Sequence, residues 1–281
     1  MTFLRCTWWI AVQGFGMVFK RRATLLFVFA VLGYAFLTTL LLARFADQQN
    51  PNGTFAELSL YLFVQVVVPI TAVYFGVVAT REEVSDGTLL HVLVRPVPRP
   101  AIWAGKYLAA LLVSVALLGT GYGLACALAP SAASEAGFGQ RLRPETLAVF
   151  ALPMLFGTAA YVAVGCWLGL RFKWAILIGL GFVAAWEQFV STAPHGSGVR
   201  SLTILDATRT LIFHAAEGQD VLRRAILDMS WADTRFDMEA RMAELPTAGE
   251  AARTLLVFVV LPLALCLWTG ARREFVSAEK E

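Results

Sequence analysis

The stretch ATLLFVFAVLGYAFLTTLLL, residues 23–42, contains no Asp, Glu, Lys or Arg. A helix needs about 20 mostly apolar residues to cross roughly 30 Å of hydrocarbon, so this stretch predicts a membrane span. Five further runs resemble it: Leu58–Ala79, Tyr107–Ala129, Leu147–Leu170, Trp174–Ala193 and the shorter Thr254–Gly270. The runs are continuous, whereas the strands of a membrane β-barrel alternate apolar and polar residues over about ten positions. The sequence therefore predicts an all-α polytopic membrane protein with six transmembrane helices.

The composition agrees with a membrane protein. Hydrophobic residues make up 58% of the 281, charged residues only 15%, and the mean hydropathy is +0.66, which lies outside the usage of soluble globular domains. The net charge of +3 is too small to indicate a nucleic-acid partner. The four cysteines lie in or beside apolar runs without paired spacing, so we expect small buried hydrophobic side chains and no metal site.

The distribution of Lys and Arg predicts the orientation, because positive residues in short loops mark the cytoplasmic side. With the N-terminus inside, that side holds Lys20, Arg21, Arg22, Arg81, Arg95, Arg99, Lys106, Arg171, Lys173, Arg272 and Arg273. Loops 43–57 and 130–146, on the other side, hold one and two arginines. We therefore expect a multi-pass protein of a bacterial-type cytoplasmic (inner) membrane, with both termini cytoplasmic.

The chain divides into four regions. Residues 1–22 are predicted to form an amphipathic helix on the inner membrane surface, where the adjacent Trp8 and Trp9 suit the interface. Residues 23–193 contain five spans and a cytoplasmic segment at 80–100, and residues 254–281 contain the sixth span and a tail. Residues 194–253 form an external loop with short amphipathic helices, one of them indicated by an apolar stripe of Leu222, Ala225, Ile226 and Met229. A spacer, a lid and a platform for a partner all fit this loop.

Three polar residues within the apolar runs are candidates for a transport pathway. Glu187 and Gln188 lie in the fifth run and Gln65 in the second. An intramembrane carboxylate is costly and indicates function. Glu187 also lies near enough to the outer boundary to pair with Arg200 or Arg209, and Gln65 is equally suited to a hydrogen bond with a neighbouring helix.

The charged segment REEVSDGTLLHVLVRPVPRPAIWAGK, residues 81–106, separates the second and third runs. Ser85-Asp86 suits a helix N-cap, and the residues from Thr88 to Leu93 give a short helix with an apolar face. Pro96 and Pro98 would end that helix. It is too short to cross a membrane, so its apolar face needs either a groove on another protein or the membrane surface.

The order of residues in this segment resembles the permease subunits of ABC type-2 transporters. The resemblance is carried by Glu83, Gly87-Thr88-Leu89, Leu93, Pro96, Arg99 and Gly105-Lys106-Tyr107, between the second and third of six spans. It implies a permease that forms the translocation pathway and exports or extrudes a cargo. The helix Gly87–Leu93 would be a coupling helix seated on a separate P-loop ATPase, and Glu83 would anchor the hinge at the end of the second span. The implied ATPase-coupling residues are Glu83, Gly87, Thr88, Leu89, Leu90, Leu93, Pro96, Arg99 and Lys106.

The resemblance also implies the partners: two ATPase subunits and a second copy of this chain or a related permease, within a lipid bilayer. ATP and Mg²⁺ would belong to the ATPase, with no cofactor in this chain. A P-loop needs Gly-x-x-x-x-Gly-Lys-Ser/Thr, but the Gly105-Lys106 pair has Pro100 at the first Gly position and Tyr107 at the hydroxyl position. We therefore expect a chain that is not itself an enzyme.

The alternative is a membrane scaffold of an ATPase-driven assembly or maturation complex, which would engage an extracytoplasmic protein through residues 194–253. The sequence does not indicate a cargo.

Overall fold

The structure is a computed structural model that describes residues 3–19, 22–45, 51–85, 97–135, 148–191, 199–230 and 245–272. The α-helices in these ranges are α1 Phe3–Phe19, α2 Arg22–Phe45, α3 Pro51–Leu58, α4 Val68–Ser85, α5 Arg99–Glu135, α6 Ala151–Arg171, α7 Ala175–Gly181, α8 Gln188–Val190, α9 Ile204–Ala215, α10 Asp220–Ser230 and α11 Ala248–Arg272. Two π-helical segments, Ser59–Val67 and Phe182–Glu187, join α3 to α4 and α7 to α8. The described part of the chain contains no strand, so the all-α prediction is confirmed.

Five helical stretches are long and apolar enough to cross a membrane: Arg22–Arg44, Gly53–Arg81, Arg99–Pro130, Ala151–Arg171 and Ala248–Arg272. Four of them cover a predicted run, and Ala151–Arg171 overlaps the predicted Leu147–Leu170 but begins four residues later. The predicted fifth span, Trp174–Ala193, corresponds to a shorter apolar helix, Ala175–Val190. The last span begins at Ala248, six residues before the predicted Thr254, because Thr247 and Glu250 form a capping box: the Thr247 amide donates to Glu250 Oε2 (2.8 Å) and the Glu250 amide to Thr247 Oγ1 (3.3 Å).

Among the described helices, α4 and α6 cross with their backbones in close approach. A Cβ atom added at Gly76 of α4 would lie 2.5 Å from the Val162 carbonyl oxygen, and one at Gly165 of α6 would lie 2.5 Å from the Val73 carbonyl oxygen. Small residues at such a crossing let two helix backbones approach closely. Thr80 adds a hydrogen bond from its Oγ1 to the Cys166 carbonyl (3.1 Å). Helices α4 and α6 therefore form one tightly packed pair.

The N-terminal helix α1 packs along α5. A Cβ at Gly14 would lie 2.8 Å from the Cβ of Ala109, and one at Gly105 would lie 2.7 Å from the Cβ of Ile10. The exposed residues of α1 are mostly apolar, with Trp8 and Trp9 more than half accessible and Arg5 and Gln13 among them. This surface has the composition expected of a helix that contacts lipid.

Two helices lie within the predicted external loop. In α10, Leu222 and Ile226 of the predicted apolar stripe are buried. Helix α9, the other helix of this loop, is largely buried: nine of its twelve residues are buried, and it packs against α6 and α11. A Cβ added at Gly157 of α6 would lie 2.8 Å from Thr208 Oγ1 of α9, so the absence of a side chain at Gly157 makes room for α9.

Candidate functional site

Two groups of residues are candidates for function: the start of α5 and a buried polar cluster around α9. For seven of the nine predicted coupling residues, the structure describes no side chain. Gly87, Thr88, Leu89, Leu90, Leu93 and Pro96 lie outside the described residues, and for Glu83 the structure gives only its position in the last turns of α4. Arg99 and Lys106 are placed in full.

Lys106 ties the start of α5 to α4. It is 5% exposed, and its Nζ donates a hydrogen bond to the Ala79 carbonyl oxygen at 3.2 Å. The same ammonium lies 5.4 Å from the ring centroid of Trp103, which is within the range of a cation–π interaction. The buried charge is thereby compensated by a carbonyl dipole and an aromatic face, in agreement with the general need of a buried ammonium for such partners.

Arg99 and Trp103 tie the same end of α5 to α11. Arg99 Nη1 donates to the Ala271 carbonyl oxygen at 3.1 Å, near the C-terminus of α11. Trp103 is fully buried, and a Cβ at Gly270 would lie 2.1 Å from its Nε1. We call these contacts of Arg99, Trp103 and Lys106 with α4 and α11 the α5 junction. It holds together the helix that enters the undescribed segment 86–96 and the helix that leaves it.

The three predicted pathway residues lie in the buried polar cluster. Gln65, in the first π-helical segment, hydrogen-bonds through its Nε2 to Oε1 of Gln188. Gln188 Nε2 donates in turn to the Gln65 carbonyl oxygen at 2.9 Å. Arg209 of α9 completes the group, because its Nη2 donates to Gln65 Oε1 at 2.8 Å. The pairing of Gln65 with a neighbouring helix, one of the two options from the sequence, is thus present.

Glu187 lies beside this group and contacts different partners. Its side chain is fully buried. Oε1 accepts a hydrogen bond from the Ile204 amide (3.2 Å), and Oε2 accepts from the Leu205 amide (2.8 Å) and from the Tyr161 hydroxyl (3.1 Å). The arginines suggested as its partners bond elsewhere: Arg200 Nη2 lies 3.0 Å from Asp206 Oδ1, and Arg209 bonds to Gln65.

Sequence reasoning missed Tyr161, Thr203 and Asp206 as members of the cluster. Tyr161 lies in an apolar run and gave no signal. Thr203 and Asp206 did give one, because Thr-x-x-Asp before an apolar run is typical of a helix N-terminus. The Asp206 amide indeed donates to Thr203 Oγ1 at 3.3 Å, and this cap starts α9 at Ile204.

Both π-helical segments lie at this cluster, one containing Gln65 and the other Glu187. A π-helical turn shifts the direction of the following side chains relative to an α-helix, and such turns occur frequently at functional sites. Polar side chains from the second span, the short apolar helix and α9 meet at these segments. The fold and the cluster define a polytopic α-helical membrane protein with a hydrogen-bonded polar network inside its helix bundle.

Comparison with protein families identifies the family of this chain. Residues 18–185 match the model of the ABC-2 family transporter proteins, which is more than half of the chain. The protein therefore belongs to the ABC-2 transporter family. It is a membrane permease of an ABC transporter, a transmembrane subunit rather than an enzyme, and the family implies association with an ABC ATPase. Comparison with curated proteins gave no match.

Proposed function

We propose that this permease forms the translocation pathway of an exporter and is driven by a separate P-loop ATPase that contacts residues 81–106. The observation that carries the coupling route is the α5 junction. Lys106 joins α5 to α4, and Arg99 and Trp103 join it to α11. A displacement of the segment between α4 and α5 would therefore move α4, α5 and α11 together, because packed helices move as rigid elements.

In this proposal ATP and Mg²⁺ bind to the ATPase and no cofactor binds to this chain. Two ATPases would act on two permease subunits, either two copies of this chain or this chain and a related permease. The protein would lie in a bacterial-type cytoplasmic membrane with both termini on the ATPase side. Arg81 and the exposed Arg99 at this end of the bundle support that orientation.

Gln65, Gln188 and Arg209 are the residues that we propose to line the pathway. Both glutamines are half-buried, and the three side chains come from three different elements. A change in the relative position of those elements would free amide and guanidinium groups for a cargo. Hydrogen-bonding groups inside an otherwise apolar bundle suit a cargo that has polar groups on an apolar body.

The scaffold alternative has less support. It requires residues 194–253 to present a surface to an external protein, whereas α9 has most of its residues buried against α6 and α11. Little of that helix is left for an outside partner.

Affinity purification of the tagged chain in mild detergent, followed by mass spectrometry, tests the coupling route. We expect a P-loop ATPase to co-purify with the wild-type chain and to be lost with Gly87→Trp, because a bulky ring in the predicted coupling helix would block its seating. Gly33→Trp is the matched control, since a Cβ at Gly33 of α2 meets no atom within 4 Å. Absence of an ATPase from the wild-type sample would contradict the proposed function, and its retention by Gly87→Trp would contradict the coupling segment.

A further inference from the structure

The N-terminus of α9 is buried inside the protein. Ile204, Leu205 and Asp206 are each no more than 5% exposed. The first amides of a helix have no partner within it, and a buried amide without a partner is costly. Helix α9 can therefore be buried at this position only if other groups accept hydrogen bonds from those amides.

Glu187 supplies most of the acceptors. Its two carboxylate oxygens accept from the amides of Ile204 and Leu205, and Thr203 Oγ1 accepts from the third amide, that of Asp206. A carboxylate also interacts favourably with the positive end of a helix dipole. The side chain that holds the start of α9 thus comes from the second π-helical segment, seventeen residues earlier in the chain than Ile204.

A third element fixes the carboxylate itself. The Tyr161 hydroxyl, from the middle of α6, donates to Glu187 Oε2 at 3.1 Å and is fully buried with it. Glu187 therefore joins α6, its own segment and α9. Both of its oxygens accept hydrogen bonds from the protein, and Glu187 is fully buried, whereas Gln65 and Gln188 are only half-buried.

We infer that Glu187 is a positioning residue, which docks α9 into the helix bundle and thereby holds Arg209 against Gln65, and that it does not contact the cargo. Arg209 lies on α9 five positions after Ile204, and its own side chain is 4% exposed. If α9 separated from the bundle, Arg209 would leave Gln65 and the proposed pathway would lose its cationic group. This inference rests on the proposed function only for the consequence to transport; the docking itself is independent of it.

The contact between Gly157 and Thr208 offers a direct test. A Cβ at Gly157 would lie 3.7 Å from the Cβ of Thr208, within the roughly 3.5–4.5 Å that a disulfide requires. In a chain whose four native cysteines are replaced by alanine, Gly157→Cys with Thr208→Cys should form a bridge that locks α9 in its docked position. Thr208→Cys alone, at a position that is 3% exposed, should react slowly with a water-soluble maleimide.

We expect Glu187→Ala to speed the maleimide reaction of Thr208→Cys about tenfold, which corresponds to about 1.4 kcal/mol of lost docking free energy. Glu217→Ala, which removes an exposed carboxylate two residues beyond α9, should leave the rate unchanged. Glu187→Ala should also lower ATP hydrolysis by the reconstituted permease–ATPase complex. Closing the 157–208 disulfide in that variant should restore the hydrolysis, and reduction should abolish it again.

An unchanged maleimide rate in Glu187→Ala would overturn the inference. So would hydrolysis that stays low after the disulfide forms, since the carboxylate would then act on something other than α9. The labelling experiment uses the permease alone, so it remains decisive even if no ATPase partner is found and the proposed function fails.

Discussion

Lys106 shows how one residue predicted for coupling acquires a structural role. The sequence placed it at the inner end of the third span, and the structure buries it against Trp103 with its ammonium on the Ala79 carbonyl. Because Ala79 lies inside α4, the helix itself also supplies that carbonyl with an amide partner. The hydrogen bond from Lys106 is therefore an additional link between α4 and α5. If it were lost, the Ala79 carbonyl would keep its amide partner within α4.

The Lys106→Met variant tests this tie. Met keeps an unbranched apolar chain of similar size, so we expect the unfolding temperature to change by only a few degrees, as for a ΔΔG of about 1 kcal/mol or less. Permease-stimulated ATP hydrolysis should nevertheless fall, because α5 would follow α4 less closely. Lys173→Met, at an exposed lysine, is the control and should change neither quantity. Wild-type hydrolysis in Lys106→Met would remove Lys106 from the coupling route.

At the scale of elements, α4 and α6 form a closely packed pair within the described part of the bundle. Gly76 and Gly165 face each other's backbones, and Thr80 bonds to Cys166 across the crossing. Interiors packed in this way do not deform gradually. The second and fourth spans should consequently move as one body, with the first π-helical segment at one end of α4 and the coupling segment at the other.

Replacing Gly76 by alanine tests the crossing. The new methyl group would lie 2.5 Å from the Val162 carbonyl oxygen, so the helices must separate, and overpacking of this kind costs about 1–3 kcal/mol. Gly119→Ala, in α5, is the control, because a Cβ there meets no atom within 4 Å and alanine favours helix by about 1 kcal/mol. Unfolding in detergent should show Gly76→Ala destabilised and Gly119→Ala unchanged or more stable. Equal stabilities would contradict the close crossing.

The elements differ in how well the sequence predicts them. The apolar runs could be predicted because the hydropathy of a run depends only on its own residues. The family of the chain followed from the order of residues at 83–107. The burial of α9 was missed because its buried positions include Asp206, Thr208 and Arg209, whose polarity suggests a surface. Asp206 and Thr208 bond to nearby residues, whereas Arg209 bonds to Gln65 of a distant element. Two of the three partners of Glu187 are backbone amides, which a sequence pattern does not reveal.

At the scale of the whole molecule, the two candidate sites lie on the same spans. The second span runs from Gln65 in its π-helical segment through Gly76 to Ala79, which bonds to Lys106. The α5 junction and the polar cluster are thus connected through α4 and the α6 packed against it. This continuity supports a permease in which a push at residues 81–106 alters the contacts of Gln65.

The short apolar helix Ala175–Val190 has a further consequence, for the surrounding lipid. At 1.5 Å per residue, its sixteen residues (175 to 190) extend about 24 Å, whereas the hydrocarbon core is about 30 Å thick. Exposed Trp174 at its start favours the interface, so we expect the bilayer beside this helix to be thinner than average. We expect ATP hydrolysis by the reconstituted complex to decline steadily across a series of phosphatidylcholines of increasing acyl length. A rate independent of acyl length would mean that neighbouring protein, not thinned lipid, covers this helix.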